Sequence, residues 1–254
     1  MSLQLMRAKL YKLFVALCHP LCWRPLTYGV APSAEHVDVL RSISVDGVID
    51  VGANRGQFSL ACSIALPEVP IVAFEPIPNE AITFRRVHPR SPSVELIQTA
   101  VGSSSGIATL HLSKRADSSS VLPIGKNQTA IFRETDEVGT IEVPMIRLDD
   151  ARGHWAGRKH QLLKIDVQGY ELEVLKGSTS TLLSCSFVYA ECSDVALYDG
   201  QALRPEVVSF LDQNGFTVRG LYNPYFVAGL LIQADYLFER RTPIAASPGL
   251  HGTL

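Results

Sequence analysis

The chain of 254 residues lacks any marked excess of charge, because 23 lysines and arginines stand against 25 aspartates and glutamates. A surface that binds nucleic acid through its phosphates usually shows as an excess of basic residues. The formal net charge of −2 therefore does not favour a nucleic-acid-binding protein. The sequence also has no internal repeat and no long low-complexity tract, so it does not predict a repeat architecture.

Cysteine is scarce and scattered along the chain. The five cysteines are Cys18, Cys22, Cys62, Cys185 and Cys192. An odd number without paired spacing is typical of a reducing compartment rather than of a disulfide framework, so we expect a cytoplasmic location. Cys18, His19 and Cys22 lie close together, but no second ligand pair follows at the spacing of a zinc site. The sequence therefore favours helix packing for these residues.

The apolar run nearest the N-terminus, Leu13 to Cys18, is too short to span a bilayer. It also lacks the longer apolar stretch and the small-residue cleavage site of a signal peptide. We therefore predict that residues 1–45 form an N-terminal helical extension. Because basic and aromatic residues share this segment, contact with a membrane surface or with a second copy of the chain is an alternative.

Short apolar runs alternate with helix-like stretches over residues 46–242. The apolar runs are Val48 to Gly52, Ile71 to Phe74, Val94 to Val101, Leu162 to Val167 and Phe187 to Ala190. Runs that are apolar on both faces and separated by helices are typical of a parallel sheet. They predict a doubly wound α/β domain, and a hydrophobic content of 46% is enough for a large core.

Three regions depart from this alternation. Residues 113–141 are polar, and we expect them to leave the sheet as an insertion over the site. Phe216 to Leu221 and Gly229 to Phe238 predict an antiparallel strand pair at the C-terminal end of the domain. Residues 243–254 contain proline, glycine and serine and predict a loose tail.

A turn with two glycines follows the first predicted strand, in the segment Asp50 to Gly56. The turn contains Gly52 and Asn54, and Gly56 opens the next helix. Glycine lets a ligand approach the backbone closely, and doubly wound sheets bind ligands at the carboxyl ends of their strands. Asp50 and the amides of the turn are therefore candidates for holding the amino-acid end of a ligand.

Glu75 ends the second strand, where an acidic side chain can accept hydrogen bonds from ribose hydroxyls. Pro76 follows it and Ala100 lies near the end of the third strand, so both are candidate cofactor contacts. The same plan serves NAD and S-adenosylmethionine. A dinucleotide site needs a second glycine where Asn54 stands, so that an amide can reach the pyrophosphate. The pattern therefore favours S-adenosylmethionine, which has no phosphate.

Charged residues also lie within the apolar run Leu162 to Val167 and directly after the run Phe187 to Ala190. Lys164 and Asp166 lie two residues apart, on one side of a strand, and Glu191 ends the next strand. Such charges are costly in an apolar strand unless they are paired or functional. Asp166 is the first candidate for a general base and Glu191 the second, and Lys164 would hold Asp166 or help lower the pKa of an acceptor. A charge network that supports the loop beneath the cofactor is the alternative.

Other candidate site residues have a weaker signal in the sequence. Ser119 and Ser120, in the polar insertion, are candidate substrate contacts, with a flexible polar loop as the alternative. Asp166 and Glu191 could bind Mg²⁺, but two carboxylates without a third ligand do not make a metal the expected cofactor. Nothing in the sequence places three further possible bases in the crevice: His111, His154 and His160.

Together these residues resemble the FkbM family of methyltransferases. The resemblance rests on the glycine turn, Phe74-Glu75-Pro76, Leu148-Asp149, the block from Lys164 to Glu171 with Leu175-Lys176-Gly177, Glu191, and the closing Gln233 to Phe238. It runs from Val48 to Arg240 and leaves the N-terminal extension outside. It implies a class I methyltransferase fold and methyl transfer from S-adenosylmethionine to oxygen. Family members act on hydroxyls of sugars, glycolipids and macrolide-type natural products, so the resemblance implies a small-molecule or glycan acceptor.

Two other functions stay open at this point. An NAD-linked oxidoreductase uses a similar sheet, although Asn54 argues against it. A non-catalytic domain that keeps the fold and docks partners is the second, although the intact turn, Glu75 and Asp166 argue against it. Methyl transfer to nitrogen is less favoured. A site for an amine acceptor typically has an aromatic-rich motif such as Asn-Pro-Pro-Tyr after the fourth strand, and the segment Asp166 to Gly169 differs from it.

Overall fold

The computed structural model describes residues 18–89, 91 and 93–241. Most of the apolar run predicted near the N-terminus and the predicted tail at 243–254 lie outside the described residues. Within them, the chain forms a seven-stranded sheet, a three-stranded sheet and helices that cover both faces of the larger sheet.

The strands of the described chain are numbered in sequence order. They are β1 (Gly47–Val51), β2 (Ile71–Phe74), β3 (Val94–Ile97), β4 (Ala100–Val101), β5 (Gly106–Ser113), β6 (Glu137–Ile146), β7 (Gln161–Ile165), β8 (Cys185–Ser193), β9 (Phe216–Val227) and β10 (Leu230–Arg240). The larger sheet has the order β3-β2-β1-β7-β8-β10-β9, and the smaller sheet has the order β4-β6-β5.

The helices of the described residues are short. The α-helices are α1 (Trp23–Thr27), α2 (Val37–Arg41), α3 (Gln57–Ala65), α4 (Pro78–Val87), α5 (Lys126–Ile131), α6 (Glu171–Lys176), α7 (Thr179–Leu182) and α8 (Arg204–Gln213). Four segments are 3₁₀-helices: Pro20–Cys22, Ala34–His36, Ala116–Ser118 and Leu148–Trp155.

The strand order confirms the predicted doubly wound fold. From β1 the chain builds outward to β2 and β3 on one side, and it later returns to place β7 on the other side of β1. Such a reversal opens a crevice at the carboxyl ends of the two central strands. The predicted C-terminal pair is also confirmed, because β10 runs antiparallel to both β8 and β9.

Hydrophobic side chains are buried on both faces of the larger sheet. Ile49 and Leu163 point to one face, and their neighbours Val48 and Leu162 point to the other, where α2 and α3 pack. All four are at most 2% exposed. Fully burying a side chain of this size contributes about 1.5–3 kcal/mol, so this double burial explains why the strands read as continuous apolar runs.

The predicted third strand is wrong in one respect, because it is two strands in two sheets. Residues 94–97 belong to the larger sheet, while Ala100–Val101 pairs with β6 in the smaller one. Between them, the Thr99 hydroxyl donates to the Pro144 carbonyl, which draws the chain out of the first sheet. The run continues across this switch, where β3 is only partly buried and β4 is buried.

The five cysteines carry free thiols, and all but Cys18 are buried. Cys22 packs against Leu60 of α3, as the helix-packing interpretation predicts. None of the helices in the described part of the chain is long and apolar enough to cross a bilayer. The cytoplasmic location itself stays a prediction.

Candidate functional site

A cavity of about 420 Å³ opens at the carboxyl ends of the central strands. Its size lies in the usual range for a small-molecule site. Its lining comes from the segments 31–36, 51–58, 74–77, 99–101, 116–121 and 164–170, together with Leu110. The cavity therefore lies at the crevice that the strand order predicts, and the polar insertion forms part of its wall.

The glycine turn at the end of β1 requires glycine at its first position. Gly52 has φ = 77°, a left-handed conformation that side chains rarely adopt. A Cβ atom there would lie 1.8 Å from the Asp166 carbonyl oxygen. Gly52 therefore allows the ends of β1 and β7 to approach each other beneath the cavity. Asn54, with φ = 49°, continues the turn and lines the cavity.

The five backbone N–H groups from Gly52 to Gly56 are all hydrogen-bonded within the protein. Their acceptors are the Phe74 and Ala53 carbonyls, the Glu75 carboxylate and the Asn54 side chain. A dinucleotide site offers amides of this kind to a pyrophosphate. The turn has none to offer in this arrangement, which argues against the NAD alternative and does not support amide contacts to an amino-acid group.

Glu75 lies directly beside this turn and lines the cavity. Its Oε2 accepts the Asn54 N–H at 2.8 Å and its Oε1 accepts the Ile77 N–H at 2.8 Å. Burial raises the pKa of Glu75 to about 7, although the two backbone donors act in the opposite direction. Each carboxylate oxygen keeps a further lone pair, so a ribose diol could bind here. Pro76 and Ala100 also line the cavity.

Asp50 lies behind the turn rather than in the cavity, and it is fully buried. Its Oδ2 accepts the Ser59 hydroxyl at 2.7 Å, and its Oδ1 lies 3.1 Å from Lys164 Nζ. Gly56 does not line the cavity either. Asp50 and Gly56 therefore lie outside the cavity lining, with Asp50 beneath the turn, and their contact with a ligand stays a prediction.

Lys164 connects the turn to the polar end of β7. Its Nζ donates to the Gly52 carbonyl at 3.0 Å and lies 3.7 Å from Asp166 Oδ2. Burial acts to lower the pKa of Lys164, but the carboxylates of Asp50 and Asp166 outweigh it and raise the pKa. A buried ammonium with two carboxylate partners holds β1 and β7 in a fixed relation.

Of the two carboxylates predicted as bases, Asp166 lines the cavity and Glu191 does not. Gln168 Nε2 joins them, since it donates to Asp166 Oδ1 at 2.7 Å and to Glu191 Oε2 at 3.2 Å. Gln233 Nε2 donates to the other oxygen of Glu191 at 2.6 Å. Burial, followed by the charge of Asp166, raises the pKa of Glu191 well above its usual value. Glu191 thus supports Gln168 from behind the cavity wall.

Ser119 and Ser120 both line the cavity, but their hydroxyls have structural partners. Ser120 Oγ donates to the Gln168 carbonyl at 2.7 Å and accepts the Leu122 N–H at 3.0 Å. Ser119 Oγ accepts the Ser113 N–H at 3.0 Å. The hydroxyl of Ser120 therefore fastens the polar insertion to the loop after β7.

His36 also lines the cavity, although no signal in the sequence pointed to it. It is the last residue of the 3₁₀-helix Ala34–His36 and directly precedes α2, in the N-terminal extension and outside the family resemblance. Its ring packs edge-on against Phe58 and Tyr189, with ring centroids 5.3 and 5.5 Å away. No spacing in the sequence links His36 to the strands that it contacts, so the tertiary structure alone reveals it.

A metal centre has no further support among residues 18–89, 91 and 93–241. No group of three or more His, Cys, Asp or Glu side chains there is arranged so that it could hold a metal ion.

Comparison with protein families and curated proteins identifies similar sequences. The family model of the methyltransferase FkbM domain matches residues 50–218. The 31-O-demethyl-FK506 methyltransferase FkbM of Streptomyces tacrolimicus is 32% identical over 204 residues, which are 71% of this chain and 76% of that protein. The family match covers the turn at β1, the cavity-lining residues from Val51 onward, and the strands β7 and β8, and it leaves out the lining segment 31–36.

Two further relatives have names that refer to methyl transfer. The 2-O-methyltransferase NoeI of Sinorhizobium fredii is 29% identical over 160 residues, 61% of this chain and 66% of that protein. The hexuronic acid methyltransferase AglP of Haloferax volcanii is 30% identical over 155 residues, 60% of this chain and 59% of that protein. The chain thus spans about three fifths to two thirds of the length of these two proteins.

Proposed function

Because the chain belongs to the FkbM family of methyltransferases, we propose that it transfers a methyl group from S-adenosylmethionine to a hydroxyl group. We further propose that the acceptor is a sugar, a glycolipid or another glycosylated metabolite. The names of two relatives, a 2-O-methyltransferase and a hexuronic acid methyltransferase, support this acceptor class.

One observation carries the choice of S-adenosylmethionine. The turn at β1 satisfies its own amides, yet it presents the buried Glu75 carboxylate to the cavity. A ligand with a ribose but no phosphate suits this combination, because it needs an acceptor for its hydroxyls and no free amides. Pro76, Ile77 and Ala100 supply an apolar wall beside Glu75 for an adenine ring.

When bound, S-adenosylmethionine would supply an electrophilic methyl group on a positively charged sulfur. The protein then has to align an acceptor oxygen with that methyl group and to remove the hydroxyl proton. Asp166 faces the cavity, with its position fixed by Lys164 and Gln168. In this proposal Asp166 accepts a hydrogen bond from the sugar acceptor, and Glu191 and Lys164 are positioning residues.

Calorimetric titration with S-adenosylhomocysteine tests the cofactor assignment, with NAD as the comparison ligand. We expect S-adenosylhomocysteine to bind and NAD to give no signal. The variant Glu75→Ala should weaken the binding of S-adenosylhomocysteine by about 10- to 100-fold, the size expected for one charge-assisted hydrogen bond of about 1.5–3 kcal/mol.

Glu80→Gln is the matched control, because Glu80 is a buried carboxylate near Glu75 that does not line the cavity. It pairs instead with the Arg55 guanidinium at 2.6 Å. This variant should bind S-adenosylhomocysteine as the wild type does. If the wild type binds NAD instead, or if Glu75→Ala binds S-adenosylhomocysteine undiminished, the proposed function is wrong.

The acceptor class needs a separate experiment. Incubation with isotope-labelled S-adenosylmethionine and a panel of methyl glycosides of hexoses, hexuronic acids and N-acetylhexosamines should label at least one sugar. Mass spectrometry of the product would distinguish an O-methyl ether from an N-methyl amine when glucosamine is included as an acceptor. Labelling confined to the amine would contradict transfer to oxygen.

A further inference from the structure

Four polar side chains lie on one face of the larger sheet at its carboxyl edge. Lys164 and Tyr189 are paired neighbours on β7 and β8, and Asp235 of β10 pairs with Glu191 two residues further along β8. Side chains two residues apart on a strand point to the same face. This is the face that α2 and α3 cover, and His36, just before α2, lies over its polar end.

Tyr189 and Asp235 hold the ring of His36 through its Nδ1 atom. Nδ1 lies 3.1 Å from the Tyr189 hydroxyl and 3.8 Å from Asp235 Oδ2. Asn223 Nδ2 donates to Asp235 Oδ2 at 2.8 Å and also lies 3.4 Å from Nδ1 of His36. Because a carboxylate only accepts hydrogen bonds, the charge of Asp235 favours a proton on Nδ1, which the Tyr189 oxygen can accept.

The Asp235 carboxylate thus favours the tautomer of His36 that carries its proton on Nδ1, which leaves Nε2 with a lone pair. A neutral imidazole carries one proton, so a proton on Nδ1 makes Nε2 an acceptor. Among the described residues, Nε2 makes no hydrogen bond, while the side chain is 16% exposed and lines the cavity. The cavity wall thus contains an imidazole with its free nitrogen unpaired, next to Lys164 and Asp166.

Burial keeps the imidazole of His36 neutral, against most of the charges around it. Burial lowers the pKa of His36 most strongly, and Lys164 acts in the same direction. The carboxylates of Asp235, Glu35 and Asp166 act to raise it but do not outweigh the burial, so the pKa stays below the usual value of 6.5. Tyr189 adds no charge, because burial and then Asp235 raise its pKa far above neutral.

We propose that His36 is the general base that takes the proton from the acceptor hydroxyl. The inference rests on the proposed function and names the residue that performs its proton transfer. In the step, the acceptor oxygen forms a bond to the methyl carbon while the carbon–sulfur bond breaks and its electron pair stays on sulfur. The hydroxyl proton moves to Nε2 of His36, and the resulting imidazolium later releases it to solvent.

His36 suits this task better than Asp166, the first candidate from the sequence. Asp166 Oδ1 accepts a hydrogen bond from Gln168 Nε2 at 2.7 Å and Oδ2 lies 3.7 Å from Lys164 Nζ, so its remaining lone pairs are placed to orient an acceptor hydroxyl. An imidazole, with an unperturbed pKa of about 6.5, is also better matched to proton transfer near neutral pH than a carboxylate. Asp166 then orients the acceptor while His36 accepts its proton, and Asp235 and Tyr189 are positioning residues.

Nuclear magnetic resonance of the wild-type protein tests the state of His36 without any acceptor. Long-range ¹H–¹⁵N correlation spectra of histidine-labelled protein bound to S-adenosylhomocysteine report the tautomer and the pKa of each ring, and His36→Gln assigns the signals. We expect His36 to be neutral at pH 7.5, with its proton on Nδ1. A proton on Nε2, or an imidazolium at that pH, would overturn the proposal. Tyr189→Phe keeps the ring but removes the hydroxyl, and it should shift the tautomer of His36 towards Nε2–H.

Kinetics with a labelled sugar from the acceptor panel provide the second test. His36→Gln should lower kcat by about 10²- to 10⁴-fold while the affinity for S-adenosylhomocysteine changes less than about twofold, and added imidazole should restore part of the rate. His160→Gln is the matched control, because His160 is exposed at the opposite edge of the sheet, before β7. An unchanged kcat in His36→Gln would overturn the proposal.

The failures of the two proposals can be told apart. A wild type that binds S-adenosylhomocysteine but methylates no sugar of the panel contradicts the proposed acceptor class, and the tautomer of His36 still decides for or against the base. If His36→Gln does not fold, the spectra of the wild type and of Tyr189→Phe decide the question.

Discussion

Two buried carboxyl groups near the cavity, those of Glu75 and Glu171, are held by backbone N–H donors rather than by cations. Glu171 is the clearest example, because it is 3% exposed and its Oε1 accepts the N–H groups of Val167 and Gly169 at 3.2 and 3.0 Å. It closes the turn between β7 and α6 and does not line the cavity. Burial raises the pKa of Glu171 to about 7, against the pull of these backbone donors.

The raised pKa of Glu171 makes the stability of the protein depend on pH. The unfolded chain ionises this group near its ordinary pKa, whereas the folded protein does so only near 7. The stability that the protonated form provides is therefore present below about pH 4.5 and is lost as pH rises towards about 7. Above that pH, a buried charge weighs against the folded state.

Glu171→Gln should remove this cost, because the amide oxygen can still accept both N–H groups without ionising. We expect the variant to be more stable than the wild type at pH 8 by about 1–3 kcal/mol, and equal to it near pH 4.5. Urea denaturation at the two pH values measures the difference. Glu171→Ala, which leaves both amides without an acceptor, should be less stable than the wild type at either pH. Equal stability of wild type and Glu171→Gln at pH 8 would contradict this account.

At the scale of elements, Asp149 connects two short helices that neither propensity nor length would stabilise. It lies in the 3₁₀-helix Leu148–Trp155, and its carboxylate accepts the N–H groups of Ser180 and Thr181 at the start of α7. The hydroxyls of Thr179 and Thr181 donate to it as well. Burial acts to raise the pKa of Asp149, but these donors outweigh it and lower the pKa.

Asp149→Ala should therefore destabilise the protein by about 1–3 kcal/mol at pH 7, since the four donors of α7 and the Arg147 guanidinium lose their acceptor. The sign of the pKa shift predicts that the advantage of the charged form is present above about pH 4 and is lost as pH falls further. Urea denaturation of wild type, Asp149→Asn and Asp149→Ala checks this order, with the asparagine variant intermediate. If the wild type and Asp149→Ala have the same free energy of unfolding at pH 7, the hydrogen bonds to Asp149 do not stabilise the protein.

The sequence predicted the elements whose signal is local, and it missed those set by distant contacts. β1, β2 and β7 are apolar on both faces because helices cover both, so their runs stand out in the sequence. The split between β3 and β4 depends instead on a hydrogen bond from Thr99 to Pro144, far along the chain. Glu75 has a local signal, because it directly follows a predicted strand. His36 has none, because the residues that it contacts are distant in the sequence.

In the candidate site, too, the sequence indicates which residues are near the cavity, and distant contacts decide which of them line it. The sequence placed Asp50 and Lys164 within strands and Glu191 at the end of the next one. In the structure Asp50 and Lys164 stand one residue before the ends of β1 and β7, and Glu191 stands two residues before the end of β8. Which of them reaches the cavity depends on side-chain direction and on partners such as Ser59, Gln168 and Gln233. Lys164 lines the cavity, whereas Asp50 and Glu191 support it from behind.

At the scale of the whole molecule, the cavity depends on contacts between the two sheets and the N-terminal segment. Ser120 fastens the polar insertion to the loop after β7, and Tyr198 bridges Ser118 and Gln168 through its hydroxyl. Gly177 lies so close to the smaller sheet that a Cβ atom would meet the Gly102 carbonyl at 1.9 Å. These contacts join the walls, so ligand binding should stabilise them together.

A saturating ligand should therefore raise the stability of the molecule as one unit. S-adenosylhomocysteine at 100 times its Kd adds about 2.7 kcal/mol, which for a domain of this size raises Tm by about 5–10 °C. Hydrogen exchange should show protection in segments 31–36, 51–58 and 116–121 at once, while the exposed end of the β9–β10 hairpin around Phe226 and Leu230 stays unchanged. Protection confined to residues 51–58, or two separate thermal transitions of which one ignores the ligand, would show that the insertion and the N-terminal segment do not belong to the binding unit. That result would also remove the support for a role of His36, because a wall that the ligand does not order cannot hold a base in place.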